Sequence, residues 1–434
     1  MTGASVSQVR AALASARRCA SVVRPAMAAS PDSAASLPTP ASAELAVQLA
    51  VHACEGPDER ARVLAAALAR HGQAGARLRQ LLGEGLLGSP WLARLGRVSF
   101  LGTLDLHPAS RHASTRLDHS LGVAALGLRV GGELGLAQAE LKLLVAACLL
   151  HDIGHFPLSH AAEPGFARAL GVAHHGVSEW IVRGNGPIAV AQSLRPALER
   201  AGLDPELLWA VIVGEAAPPH AALSSLLLAP INLDTLDGIR RTARSFGRRG
   251  LRLPPALFAR SGDDLVLDAA AIPALDRFWA LKDRMYGEVI NLPSNIVCEA
   301  ELSRVVAERF DRAVFGGFAG FDDAALGPLA AAAARQAGLL DGDDERFHFA
   351  GRRLSGEDLP RVRKRYYVDR SVEAGALGLR RADWDLRYRH GRQLVYVTRQ
   401  HAATQLALPG LAWDPDEPAS GAFTAPPGAE GPEI

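Results

Sequence analysis

The chain has 434 residues, 48% of them apolar and 21% charged, a balance that supports a large folded core and excludes an intrinsically disordered protein. Lysine plus arginine (47) nearly cancels aspartate plus glutamate (46), so the molecule as a whole offers no broad electrostatic field for nucleic acid or an anionic membrane. The cysteines Cys19, Cys54, Cys148 and Cys298 form no CxxC pair, which argues against a zinc ribbon or disulfide framework and fits a reducing compartment.

Residues 1–43 are rich in Ala, Ser and Pro and read as a flexible N-terminal segment. Arg10, Arg17, Arg18 and Arg24 precede the first acidic residue, Asp32. The expectation is a cytoplasmic protein, with an organellar transit peptide as the alternative. No run reaches the roughly 18 uncharged apolar residues of a membrane helix, so no membrane association is expected. Residues 44–320 read as one helical unit. Apolar residues recur at helical spacing through ERARVLAAALARHGQ, LDHSLGVAALGLRV, ELKLLVAACLLHDIGH, PELLWAVIVG, LDGIRRTARSF and ALDRFWALKDRMYGEVI. Within this unit ALFARSGDDLVLDA, with a Ser-Gly-Asp turn between apolar runs, predicts a small β-hairpin. Cys148 lies in an apolar run and reads as a small core residue. Residues 321–408 change texture: an alanine-rich helix precedes RVRKRYYVDRSV and DLRYRHGRQLVYVTRQ, the last read as a hairpin turning at His390-Gly391. Residues 409–434 read as a disordered tail. The fold class expected is mainly α: a helical core with a small β-hairpin and a small α+β C-terminal appendage.

Six of the fourteen histidines, His119, His151, His155, His160, His174 and His175, fall between residues 119 and 175. Imidazole is the commonest transition-metal ligand and the usual acid–base group near neutral pH. His151-Asp152 ends an apolar helix, where an aspartate is costly to bury unless paired or bound to a cation. His119 lies early in a second helix, in TRLDHSLGV. Asp234 and Asp237 share a face of a third, in INLDTLDGIRR. Two histidines and two carboxylates, His119, His151, Asp152 and Asp234, suit one divalent transition metal: Mn, Fe, Co, Ni or Zn, with Mg less natural.

The order R-x-x-H, then H-D-x-G-H-x-P-x-S-H, then a distant D resembles HD-domain phosphohydrolases, and HDIGHFPLSHAAE resembles their deoxynucleoside triphosphate triphosphohydrolase branch. The resemblance runs from about residue 90 to 310. It implies an HD-type helical domain with His119, His151, Asp152 and Asp234 as metal ligands. It also implies that Arg116 contacts substrate phosphate, that His155 stands beside the scissile phosphate, and that Glu163 is an acid pairing with a catalytic histidine. His160 is implied to line the phosphate end. His174 is implied as a further catalytic histidine, with His175 as its rival one residue away. Asp237 is placed at the substrate end or as partner to a nearby arginine. The implied partner is a nucleotide or other phosphorylated small molecule, the implied reaction release of tripolyphosphate, and the implied assembly a homo-oligomer. Three departures bear on the substrate. The sugar-reading glutamine of the branch is replaced by Ala93 or Arg94, a tyrosine after the last ligand by Gly238, and a Tyr-x-His by Val289-Ile290-Asn291.

Other functions stay open on the residues alone. His155, His160 and His174 could hold a second iron, as in HD-type diiron oxygenases. An HD-type phosphatase or phosphodiesterase, or a non-catalytic nucleotide or nucleic-acid sensor, is a further reading. Arg240, Arg241, Arg244, Arg248 and Arg249 form a basic stretch, read as a solvated face or a phosphate or nucleic-acid contact. Arg363, Lys364 and Arg365 interleave with aromatics, a pattern compatible with nucleic acid or an effector nucleotide.

Overall fold

The computed structural model describes residues 57–341, apart from 189, 230, 249–250, 255, 262–263, 268–270, 291, 312–313, 315–317 and 319, together with two short strands at 367–369 and 388–390. The expectations for residues 1–43, for Arg363, Lys364 and Arg365, and for residues 409–434 lie outside the described residues. The architecture is mainly α. In chain order it comprises α1 (Pro57–Arg70), α2 (Gly72–Leu82), α3 (Pro90–Leu95), α4 (Arg116–Glu133), α5 (Gln138–Leu150), α6 (Glu163–Leu170), α7 (His174–Arg183), α8 (Pro205–Val213), α9 (Ala221–Leu228) and α10 (Leu233–Ser245). After the hairpin β1 (Phe258–Ser261) and β2 (Asp264–Leu267) come α11 (Ile272–Met285), α12 (Pro293–Arg309) and α13 (Gly327–Gln336). No helix among the described residues is long and apolar enough to cross a membrane.

The predicted hairpin forms, with Phe258 opposite Leu267 and Ser261 opposite Asp264. In the C-terminal region Tyr388–His390 (β4) pairs antiparallel with Tyr367–Asp369 (β3), while the strand expected after the His390-Gly391 turn lies outside the described residues.

The centre of the fold is the antiparallel pair α4 and α5. Nine of the thirteen residues of α5 are buried, from Leu141 through Leu150, so this helix is core on nearly every side. Two glycines of α4 admit it at close range: a Cβ at Gly127 would stand 2.8 Å from Cys148 Sγ, and one at Gly131 2.5 Å from Leu141 Cδ1. Cys148 is a buried core residue, as expected, and burial pushes its thiol up. A third glycine, Gly122, faces α10, where a Cβ would meet Asp237 Oδ1 at 2.4 Å. Three small residues on one helix thus set the spacing of both helices that bring carboxylates to the site.

Around residue 320 the chain runs through the core. Phe318 and Phe321 are buried, and Phe318 meets Phe156 edge-on at 5.7 Å while Phe321 meets Phe166 at 5.6 Å. Asp323 accepts hydrogen bonds from the backbone of Ser99 (2.8 Å) and Leu158 (2.6 Å), and Asp322 pairs with Arg97. The helix α13 packs on α12. The alanine-rich texture that suggested a new unit is that of a helix with a closely packed face, where Ala330, Ala333 and Ala334 are buried.

Arg94, at the position expected to read a sugar, is fully buried and ties these segments together. Its guanidinium donates to the carbonyls of Phe321 (3.1 Å), Ile153 (3.0 Å) and His155 (2.7 Å) and lies 4.4 Å from the centre of the Phe318 ring. Burial lowers its pKa to about 9, which still leaves it charged at neutral pH. Arg94→Met would leave three buried carbonyls without this donor, at about 1–3 kcal/mol for each group left unsatisfied. We expect a loss of about 3 kcal/mol or more in urea unfolding; an unchanged midpoint would contradict the strut.

Candidate functional site

The three helices that carry the predicted ligands start or stop at the site. Thr115 caps α4 with a full capping box, its hydroxyl accepting from Asp118 N while the Asp118 carboxylate accepts from Thr115 N. That cap fixes Arg116 and His119 in the first turns. The apolar helix α5 ends at Leu150, and His151-Asp152 follows at its C-terminus. Asn232 caps α10 by accepting from Thr235 N at 2.7 Å, which places Asp234 in the first turn.

The four predicted ligands come together. His119 Nε2 lies 2.9 Å from Asp234 Oδ1 and 3.6 Å from Asp152 Oδ2. His151 Nε2 lies 3.5 Å from Asp152 Oδ2 and 3.7 Å from Asp234 Oδ1. Both Nε2 atoms are buried and neither has a hydrogen-bond partner of acceptable geometry, even where an oxygen is near. Nitrogen and oxygen atoms that crowd together without aligned hydrogen bonds are what a shared cation requires.

The opposite ring nitrogens are engaged. His119 Nδ1–H donates to Asp237 Oδ2 at 2.8 Å, and His151 Nδ1–H donates to the Cys148 carbonyl at 2.9 Å. Each bond places the ring proton on Nδ1 and leaves the Nε2 lone pair facing the cluster. The charges agree. Against the opposing effect of burial, Asp152 and Asp234 raise His151 to about 9. Burial also opposes ionisation of Asp152, yet His151, His155 and Arg116 hold its carboxyl well below the usual range. The cluster favours a positive charge at its centre, and a divalent cation would replace the proton there. The donor set and the orphaned Nε2 atoms therefore fit one divalent transition metal. Asp234 has a side chain 43% exposed, so this edge faces solvent.

Arg116, 4% exposed, donates from Nη1 to Asp152 Oδ2 at 2.6 Å and from Nε to Ser159 Oγ at 2.7 Å. It is thus also a partner of a predicted ligand. Asp237 has a different neighbourhood from a substrate contact: Oδ2 receives both His119 Nδ1–H and Arg241 Nε–H (2.8 Å), while Oδ1 accepts from Arg241 Nη2 at 3.2 Å. Its pairing with an arginine follows the expectation, and its link to His119 is additional.

Beside this cluster, His155, His160, Glu163 and His174 form a second. The His155 and His174 rings stack at 4.0 Å with 11° between planes. Glu163 accepts from His160 Nδ1–H at 2.8 Å, from His174 N at 3.0 Å and from His174 Nδ1–H. Burial opposes ionisation of Glu163, but the hydrogen bonds of His160 and His174 hold it well below the usual carboxylate range. His155 is fully buried with neither ring nitrogen hydrogen-bonded, its Nε2 lying 3.3 Å from Asp152 Oδ1. Burial, then Arg116 and His174, drive its pKa well down, so the ring is neutral. His174 is buried in this group, whereas His175 is exposed. The side chain of His160 is 54% exposed, so it stands at the rim.

Sequence reasoning did not single out Phe100, Ser159 or the backbone at Leu158. The Phe100 ring covers His119 at 4.7 Å and lies under the Arg116 guanidinium at 4.8 Å. A Cβ on Gly238 would already stand 3.4 Å from Phe100 Cζ, so Phe100 closes in where the branch carries a tyrosine. Leu158 and Ser159 have φ of 58° and 53°, a left-handed conformation that is costly without glycine. The Leu158 N–H bond to Asp323 and the Ser159 hydroxyl bonds to Arg116 and Ser99 hold them there. Two consecutive positive φ values leave no sequence signal when glycine is absent.

If Asp237 fixes the His119 tautomer, Asp237→Asn should weaken metal binding by about 10–100-fold. Competition against a chelator measures this, and unchanged affinity would remove Asp237 from the metal centre.

The HD domain family model matches residues 116–186. The chain is 25% identical over 233 residues to the uncharacterized protein YwfO of Bacillus subtilis, covering 51% of this chain and 50% of that protein. It is 37% identical over 89 residues to a deoxyguanosinetriphosphate triphosphohydrolase-like protein of Bifidobacterium longum, covering 20% of this chain and 17% of that one. The chain thus spans about half the length of the first curated relatives it matches. Among solved structures, a hypothetical protein from Aquifex aeolicus aligns with a TM-score of 0.48 at 24% identity, over 64% of this chain and 73% of that one. A phosphohydrolase from Bacteroides thetaiotaomicron aligns with a TM-score of 0.42 at 24% identity, over 50% and 52%. The matched segment begins at Arg116 and includes His119, His151, Asp152, His155, Glu163 and His174, so residues 116–186 carry an HD domain.

Proposed function

We propose that this chain is a metal-dependent phosphohydrolase acting on a nucleoside triphosphate, most readily a deoxynucleoside triphosphate, to release nucleoside and tripolyphosphate. The observation that carries the reading is the convergence of the His119 and His151 Nε2 atoms on Asp152 and Asp234, next to an unengaged neutral imidazole, His155. The nucleotide assignment is supported by similarity to triphosphohydrolase-like relatives over about a fifth of the chain.

His119, His151, Asp152 and Asp234 would hold the metal, which supplies Lewis-acid polarisation of a phosphoryl oxygen and an activated water. In the reaction, water adds to the α-phosphorus and the bond to the nucleoside 5′-oxygen breaks. The departing alkoxide must gain a proton and the entering water must lose one. His155 is placed for this transfer, because its nitrogens are not committed to other groups. His174, held through Nδ1 by Glu163, stacks on His155 and keeps its ring plane fixed. Arg116 uses Nη1 on Asp152, Nε on Ser159 and one Nη2–H on the Phe100 carbonyl, leaving one N–H on each Nη for a phosphate oxygen.

A second reading rests on the His155, His160, Glu163 and His174 cluster, which could take a second ion as in a diiron oxygenase. In that cluster Glu163 takes the Nδ1–H of both His160 and His174, so each could offer an ion only its Nε2. Two irons per chain with visible-region absorbance would favour this reading.

The deciding experiment offers nucleoside triphosphates, other nucleotides and phosphorylated metabolites with Mn, Co, Mg or Fe. Phosphate, pyrophosphate and tripolyphosphate are then separated. We expect tripolyphosphate from at least one deoxynucleoside triphosphate, and none from Asp152→Ala. Wild-type turnover in Asp152→Ala would overturn the mechanism. Pyrophosphate or phosphate as the sole product would overturn the bond assignment.

A further inference from the structure

A concave pocket of about 290 Å³ opens where the α1–α2 turn meets α4 and α10, bordered by Arg70, His71, Gly122, Asp237, Arg240, Arg241 and Arg244. It is lined by four guanidinium groups and one carboxylate, so its charge is strongly positive. Two of the four cations are already paired. Arg70 binds Asp118 at 2.5 Å, and Arg241 binds Asp237, the Ser114 hydroxyl (2.9 Å) and the Asp118 carbonyl (2.8 Å). Among the described residues, the Arg240 and Arg244 side chains form no salt bridge or hydrogen bond. They stand four apart on α10, an arrangement in which like charges repel. Their surroundings add to the cost: burial and then the charges of Arg244, Arg129 and Arg241 lower the pKa of Arg240, with Asp237 opposing. Folding tolerates this crowding although Asp237, the carboxylate at the pocket, is already engaged by Arg241 and His119.

We propose that this pocket is a binding site for a small oligophosphate anion, separate from the metal cluster. Its volume is at the lower end of the range for small-molecule sites, suited to a phosphate or pyrophosphate group rather than an enclosed nucleoside. Arg240 and Arg244 present fork-shaped donors that match phosphate oxygens, and His71 adds a ring nitrogen from the opposite wall. The pocket and the metal cluster share one element. Asp237 touches the anion pocket and holds His119 Nδ1–H, while His119 Nε2 faces the other ligands. The site is thus placed so that an anion drawing on Arg241 changes the support of a metal ligand. The proposal does not depend on the reaction assigned above.

Pyrophosphate titrated calorimetrically into the full chain tests it, using wild type, Arg240→Ala/Arg244→Ala and Asp234→Asn. The double variant alters one half-buried and one exposed residue, and Asp234→Asn disables the metal cluster while keeping its shape. Thermal melts establish that each variant folds. We expect wild type and Asp234→Asn to bind one pyrophosphate per chain and the double variant to bind at least tenfold more weakly. Unchanged binding by the double variant, no binding by wild type, or loss of binding in Asp234→Asn alone would overturn the proposal. The last result would assign the anion to the metal cluster.

Discussion

Everything at the site follows from which nitrogen of two imidazoles carries a proton. Asp237 and the Cys148 carbonyl each take an Nδ1–H, so His119 and His151 turn their Nε2 atoms toward the same small volume as Asp152 and Asp234. The buried Asp152 carboxylate, the partly exposed Asp234 carboxylate and two imidazole nitrogens share that space at lower cost with a cation between them, because a buried charge left unpaired costs several kcal/mol. Helix spacing supports this convergence. Gly127 and Gly131 let α5 approach α4, and Gly122 lets the Asp237 carboxylate approach the same helix from the other side.

The second tier of structure is the loop after Asp152. It leaves a buried helix, carries His155, adopts two consecutive left-handed residues at Leu158 and Ser159, and enters α6 at Glu163. Its shape is held by groups distant in sequence: Arg94 on the carbonyls of Ile153 and His155, Asp323 on Leu158, and Ser178 Oγ accepting from Gly154 N at 2.9 Å. Gly154 is needed for the last of these, since a Cβ would stand 2.3 Å from Ser178 N. The loop is fixed from several sides, so His155 can remain buried and unengaged without collapsing onto a neighbour.

Much of this was legible in the sequence. An apolar helix ending abruptly in His-Asp, a helix carrying R-x-x-H near its start, and an Asp early in a third helix are local patterns, and the three helices form as the periodicity predicts. The β1–β2 hairpin was equally local. What escaped was directional or long-range. The i, i+3 spacing placed Asp237 on the face of Asp234, but not its carboxylate on His119, a contact across 118 residues. Arg94 could not be read as a buried strut, because its partners are main-chain carbonyls 59 to 227 residues away. Nor does composition record that Phe318 and Phe321 join the Phe156–Phe166 stack.

X-ray absorption spectroscopy of the purified chain loaded with zinc or manganese examines the central claim most directly. The account predicts one ion per chain with two imidazole nitrogens and carboxylate or water oxygens, at distances of about 2.0–2.2 Å for zinc. A spectrum with fewer than two imidazoles, with sulfur in the coordination sphere, or with only a hydrated ion would contradict it.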